Sequence, residues 1–184
     1  MTAQQTLNGK TTSVFDKKGL ANLHKEIQEV YLNDNRPWVI GYSGGKDSTT
    51  ALQLVWYALA ELPEDKRTKP IFVISSDTLV ETPVIVDYIT TTLDRINRIA
   101  ADKKMPIQAF KLTPRIPDSF WVNLIGRGYP APSTQFRWCT ERLKIRTADR
   151  FILESVTKYG EVVMILGVRK GESATRDQVM NLYK

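Results

Sequence analysis

Two glycines, two serines, a lysine and an aspartate fall within six residues, Ser43-Gly44-Gly45-Lys46-Asp47-Ser48. Their chemistry is that of a phosphate cradle. Adjacent glycines let the backbone turn through positive φ and approach a ligand with no Cβ in the way. Val39-Ile40 just before reads as the end of a buried strand, and Asp47 to Ala60 reads as a helix. A glycine corner between strand and helix presents an anion with the unpaired N–H groups of the first helical turn and the positive end of its dipole. Lys46 adds a full charge, and Ser43 and Ser48 add hydroxyl donors. A Walker A loop, G-x-x-x-x-G-K-[ST], is the obvious rival. Only three residues separate Gly41 from Gly45, and an aspartate follows the lysine, so both spacing and charge fail. An ordinary glycine-rich strand–helix turn is the plain alternative.

Three further clusters carry chemistry. Asp77-Thr78-Leu79-Val80-Glu81-Thr82-Pro83 follows an apolar run, which puts Asp77 where a ribose, an adenine or a metal would sit. A polar loop capping a helix would by itself explain Thr82 and Pro83, and Glu81 fits either reading. Arg169, Glu172 and Arg176 lie in Gly167 to Arg176, and arginine forks suit phosphate or sulfonate oxygens. A solvated charged loop would look the same. Cys139, the only cysteine, stands in Phe136-Arg137-Trp138-Cys139-Thr140-Glu141-Arg142-Leu143-Lys144. A lone cysteine is usually a small buried hydrophobe, but a helix start and nearby cations favour a thiolate. Arg127, Arg137, Arg142, Lys144, Arg146 and Arg150 outweigh Glu141 and Asp149, and Phe136 and Trp138 interleave with them. That pattern suits a nucleotide or a nucleic acid. His24, the only histidine, reads as a surface or half-buried residue.

Alternating elements must position these groups. Leu20, Leu23, Ile27, Val30 and Tyr31 recur at helical spacing over roughly 17–32. Residues 70–75 form a short β-branched run suited to a buried parallel strand, and Thr82-Pro83 starts a helix running to about 104. A weaker strand at 106–112, an irregular stretch at 113–138 with a short helix near 119–125, a helix over 138–156 and a strand at 161–167 complete the pattern. Residues 1–13 read as a flexible tail and 14–184 as one domain. The expected class is α/β, a parallel sheet with helices on both faces, whose ligands bind past the carboxyl ends of the strands. A hydrophobic content of 42% and 25% charged residues are ordinary for a globular domain, and no run nears a membrane span. One cysteine excludes an internal disulfide and agrees with a cytoplasmic setting, while the net charge of +6 allows a polyanionic partner.

SGGKDS resembles the PP-loop, SGGxDS, of the ATP pyrophosphatases, which grips the β,γ-pyrophosphate while the α-phosphorus is attacked. Asp77-Thr78 with Glu81-Thr82, and Gly167 to Ser173 with Arg176, resemble motifs of the phosphoadenylylsulfate (PAPS) reductase branch. With the R-W-C-T-x-R-L-K run they resemble the DndC family, sulfurtransferases of bacterial DNA phosphorothioation, over about residues 14–184. The resemblance implies an adenine nucleotide alpha-hydrolase-like fold, with ATP and Mg²⁺ as cofactors. Lys46, Asp47 and Arg169 would be catalytic, and Ser43, Gly44, Gly45, Lys46, Asp47, Ser48, Asp77, Arg169 and Arg176 would bind the nucleotide. It also implies DNA, a cysteine desulfurase and other Dnd phosphorothioation proteins as partners. In that family four cysteines hold a 4Fe–4S cluster, and Cys139 matches the first. The chain therefore reads as truncated at its C-terminus, with the cluster belonging to a full-length protein and absent here. A PAPS or adenylylsulfate reductase-like enzyme, and a non-catalytic nucleotide- or DNA-binding module, are the alternatives.

Overall fold

Short β-branched runs alternate with amphipathic stretches, and the chain folds accordingly. The computed structural model describes residues 4–7, 10–13, 17–169, 171, 178, 181 and 182. Strands β1 (Gln4–Leu7) and β2 (Lys10–Ser13) precede α1 (Lys17–Leu32), β3 (Trp38–Gly41) and α2 (Lys46–Ala60). Then come β4 (Ile71–Ser76), α3 (Pro83–Asp102) and β5 (Ile107–Leu112). A 3₁₀ turn (Ile116–Asp118) and two π-helical segments (Val122–Gly126, Thr140–Ile145) fill the stretch before α4 (Arg146–Tyr159) and β6 (Val163–Leu166).

β3 to β6 form one parallel sheet in the order β5-β4-β3-β6. The chain steps outward from β3 to β5, then returns to the far side of β3. Strand order therefore reverses between β3 and β6, which opens a crevice at their carboxyl ends. Alternation along the strands splits the side chains between two faces. Ile40, Ile71, Val73 and Ile107 join Tyr31, Leu52, Leu59 and Leu93 in the core under α1, α2 and α3. Phe72 and Phe110 face the other way and pack against Phe151 of α4, with Tyr159 also against Phe72. Helices thus cover both faces, as the sequence predicts.

The reading of residues 1–13 as a flexible tail contained no strands; instead Gln4–Leu7 pairs antiparallel with Lys10–Ser13. Three threonines supply strand preference, and the sequence places Asn8-Gly9, a hairpin signal, between the two runs. Thr82 stands at the N-cap of α3 in extended backbone and Pro83 takes the first helical position, but the threonine hydroxyl makes no cap hydrogen bond.

The connection from α1 to β3 is fixed by charge. The Arg36 side chain donates to Asp34 Oδ2 (2.7 Å), and Lys69 Nζ donates to Asp34 Oδ1 (3.0 Å). Lys69 is itself buried, its ammonium 4.8 Å from the Tyr31 ring centre and 5.1 Å from that of Trp38. Arg36 first, then Lys69, lower the Asp34 pKa to about 2. That lies below the value of about 3.9 expected in an unfolded chain. The stabilisation is therefore complete above the unfolded pKa and lost as pH falls through the folded one. Urea unfolding across that acid range should show stability falling. Asp34→Asn should flatten the fall, and should also lower stability near neutrality because it strands the buried Lys69 ammonium.

Candidate active site

The crevice is built on the start of α2. Gly45 occupies the N-cap in extended backbone with no side-chain cap, so the first-turn N–H groups stay open to a ligand. Gly44 has φ +74°, a turn conformation that favours glycine, and a Cβ there would lie 2.7 Å from Ile89 Cδ1. Inside the loop the Ser43 amide donates to Ser48 Oγ (3.2 Å), and Ser48 Oγ donates to the Gly45 carbonyl (3.0 Å). The two hydroxyl oxygens are 3.1 Å apart. Ser48 is buried and braces the corner, whereas Ser43 is exposed at the crevice. The Lys46 ammonium is exposed and has no hydrogen-bond or ion-pair partner among the described residues.

Two other strand ends close on this corner. A Cβ on Gly167 would lie 2.4 Å from the Asp47 carbonyl oxygen and 2.8 Å from the Ser48 nitrogen, so the segment after β6 passes directly over the first turn of α2. Arg169 Nε donates to Asp47 Oδ2 (3.0 Å). From β4, Asp77 accepts the Leu79 amide (2.9 Å), and its other oxygen lies 3.8 Å from Lys111 Nζ. Thr78 donates to Glu81 (3.0 Å), which makes Glu81 a brace of that loop. The resulting cleft of about 910 Å³ is lined by Ser43, Gly45, Lys46, Asp47, Ser48, Asp77 and Arg169 among others, with Ile85, Val86 and Ile89 as an apolar wall. That volume suits a small-molecule ligand. Burial raises the pKa of Tyr42, which also lines the cleft, so its hydroxyl stays protonated.

The glycine loop, Asp77 and Arg169 therefore meet as their strand-end positions predict. Arg176 and Glu172 lie outside the described residues. Lys111 and Lys144 also line the cleft. Sequence reasoning did not place Lys111 there, although a lysine near the carboxyl end of a parallel strand is a usable signal. Lys144 is predicted as part of the basic tract and as a neighbour of Cys139, not as a residue of the nucleotide cleft.

Residues 37–182 match the phosphoadenosine phosphosulfate reductase domain. The chain belongs to that family. An uncharacterized protein of Methanocaldococcus jannaschii, MJ0066, is 28% identical over 158 residues, covering 86% of this reductase-family chain and 28% of that protein. The U34-tRNA thiolase NcsA of Methanococcus maripaludis, solved with its 4Fe–4S cluster, shares the fold with a TM-score of 0.50 at 14% identity. That match covers 95% of this chain and 52% of the thiolase chain. A PAPS reductase of Candida auris in a phosphate complex aligns with a TM-score of 0.42 at 16% identity, covering 86% of this chain and 70% of that one. This reductase-family chain thus spans about half of the thiolase and less of MJ0066.

Within this family member Cys139 is half-buried, directly before the π-helical segment Thr140–Ile145, and is not among the residues lining the cleft. Among the described residues no three of His, Cys, Asp and Glu gather as a metal site. A 4Fe–4S cluster takes four ligands, so the residues present do not fit one. Mg²⁺ is a different case, because it is commonly held by substrate phosphates, waters and one or two carboxylates. Asp47, at the loop, fits that part.

The basic tract is less open than its composition suggests. Arg142 donates to Asp118 (3.1 Å) and to the Tyr129 hydroxyl (2.7 Å), and Arg146 bonds Glu141 and Asp118. Those arginines are committed to partners within the fold. Arg137 and Lys144 are exposed and have no partner among the described residues. No helix is long and apolar enough to cross a membrane among those searched.

Proposed function

We propose that this domain is an ATP pyrophosphatase that adenylates a backbone phosphate of DNA so that sulfur can replace one of its oxygens. The observation that carries the reading is the uncapped start of α2 with a Lys46 that has no partner among the described residues, beside the Asp47–Arg169 pair at the lip of the same cleft. Open amides and one ammonium are what a departing pyrophosphate needs. A DNA phosphate oxygen would attack the α-phosphorus of ATP, and the bond from that phosphorus to the bridging oxygen would break. The first-turn N–H groups and Lys46 would take up the charge on the leaving pyrophosphate. A sulfur nucleophile would then displace AMP from the activated phosphate. Mg²⁺, held by the triphosphate and Asp47, would supply charge neutralisation. Asp77, held by the Leu79 amide, suits the nucleoside end of the ligand. A cysteine desulfurase would provide the sulfur, with other Dnd proteins as partners.

Pyrophosphate release from ATP, measured with and without DNA, tests this reading. DNA-stimulated pyrophosphate supports it, and cleavage to ADP and phosphate overturns it. The reductase-like alternative shares the family and the cleft; sulfite released from PAPS or adenylylsulfate by a thiol reductant would establish it instead.

The DNA end of the reading is supported by Lys144, which lines the cleft, and by the exposed Arg137, whose side chain has no partner among the described residues. Sequence alone pairs Lys144 with Arg142 for this contact, but Arg142 is committed to Asp118 and Tyr129. Replacing Arg137 and Lys144 together by glutamine should flatten the slope of log affinity against log salt by roughly 2, one counterion per lost phosphate contact. An Arg142→Gln change should instead lower stability. A salt titration and a thermal melt separate the two.

A further inference from the structure

The stretch between β5 and α4 is built around a column of rings. Phe120 stacks on Trp138 (5.4 Å, 22°), Tyr129 meets Trp138 edge-on (5.5 Å), and the Arg142 guanidinium lies 5.2 Å from the Tyr129 ring centre. Trp138 is buried and donates to the Pro130 carbonyl (3.0 Å), while fully buried Asn123 bonds the Pro117 and Ser119 carbonyls. Asp118 ties the base of this unit to Arg142 and Arg146, beside Lys144 and Ile145 of the cleft wall. The unit is therefore rigid and mounted at the cleft. At its outer end Trp121 packs edge-on against Phe120 (5.1 Å, 89°) yet remains 57% exposed.

An anchored, half-exposed indole is a ready surface for another flat ring. The charge of the same stretch of chain, between β5 and α4, selects which kind. Asp118 and Glu141 are occupied by Arg142 and Arg146, which leaves the cations Arg115, Arg137 and Lys144 without partners among the described residues. The uncompensated charge favours a polyanion. A base within a duplex hides both faces, so a stacking residue gains most from an unpaired one.

We propose that Trp121 is a stacking platform for an unpaired nucleic-acid base, so that the strand reaching the cleft is single or locally opened. This rests on the reading above that the domain acts on nucleic acid. The test measures binding of a short oligothymidylate, a duplex of equal length and heparin to the wild type, Trp121→Ala and Trp121→Phe. Loss of one base–aromatic stack should weaken oligothymidylate binding by about 5- to 100-fold in Trp121→Ala. Duplex and heparin binding should be unchanged, and Trp121→Phe should recover most of the loss. Equal losses on all three ligands would overturn the proposal. So would unchanged oligothymidylate binding in Trp121→Ala with a normal wild-type salt dependence. That second outcome would spare the nucleic-acid reading and turn the patch over to a protein partner. A wild type that binds no oligonucleotide would overturn both.

Discussion

Lys46→Ala should weaken ATP binding by about 1.5–3 kcal/mol, the worth of one charge-assisted hydrogen bond. In affinity that is roughly 10- to 150-fold. Lys46 is the first residue of α2, its ammonium is exposed and has no partner among the described residues, so none of them competes with a ligand for it. For the same reason the substitution should leave the melting temperature almost unchanged. Calorimetry with ATP and Mg²⁺ is the measurement, and an unaltered affinity would place the phosphates elsewhere in the cleft.

Gly167→Ala should cost more, because the added methyl meets main chain rather than side chain. Its Cβ would fall 2.4 Å from the Asp47 carbonyl oxygen and 2.6 Å from the carbonyl carbon. Either the segment after β6 or the first turn of α2 must move. Overpacking of a well-filled site costs about 1–3 kcal/mol, and a rigid backbone neighbour puts this case at the upper end. Gly41→Ala is the control. Its Cβ would approach Leu166 Cδ2 at 2.7 Å, but Leu166 is 56% exposed and can swing aside. Melting curves should rank Gly167→Ala well below Gly41→Ala, and ATP titration should show lost affinity only in the former. Equal behaviour of the two variants would mean that the contact over α2 is not tight.

These two glycines also mark what a sequence discloses. Gly44-Gly45-Lys46 announces its role because a local corner must be built from local residues. Ile71–Ser76 is equally plain, since its unbroken apolar start, Ile71 to Ile74, suits a strand buried on both faces. Gly167 and Arg169 are visible as chemistry, but their partner Asp47 stands 122 residues from Arg169, and only the return of β6 beside β3 joins them. Charge runs mislead for the same reason. Arg142 reads as an open cation because nothing nearby in sequence reveals Asp118, 24 residues upstream. The β1–β2 pairing is missed because its strands are polar and lack an apolar alternation. Lys111 is missed because alternation along β5 sends neighbouring residues to opposite faces, and one residue of register decides which reaches the cleft.

The pairing of β6 with β3 also sets the order in which the molecule can mature. During synthesis β3, α2, β4, α3 and β5 can assemble neighbour by neighbour, each strand docking beside its predecessor. The other edge of β3 must wait until β6 emerges. Until then Trp38, Val39 and Ile40, all buried in the finished sheet, sit on an open strand edge, the part of a folding intermediate most prone to aggregate. Closing so long a loop is slow relative to the local steps. Helix content will therefore recover early in refolding while nucleotide affinity lags behind, and the late signal reports that the last wall of the cleft has arrived.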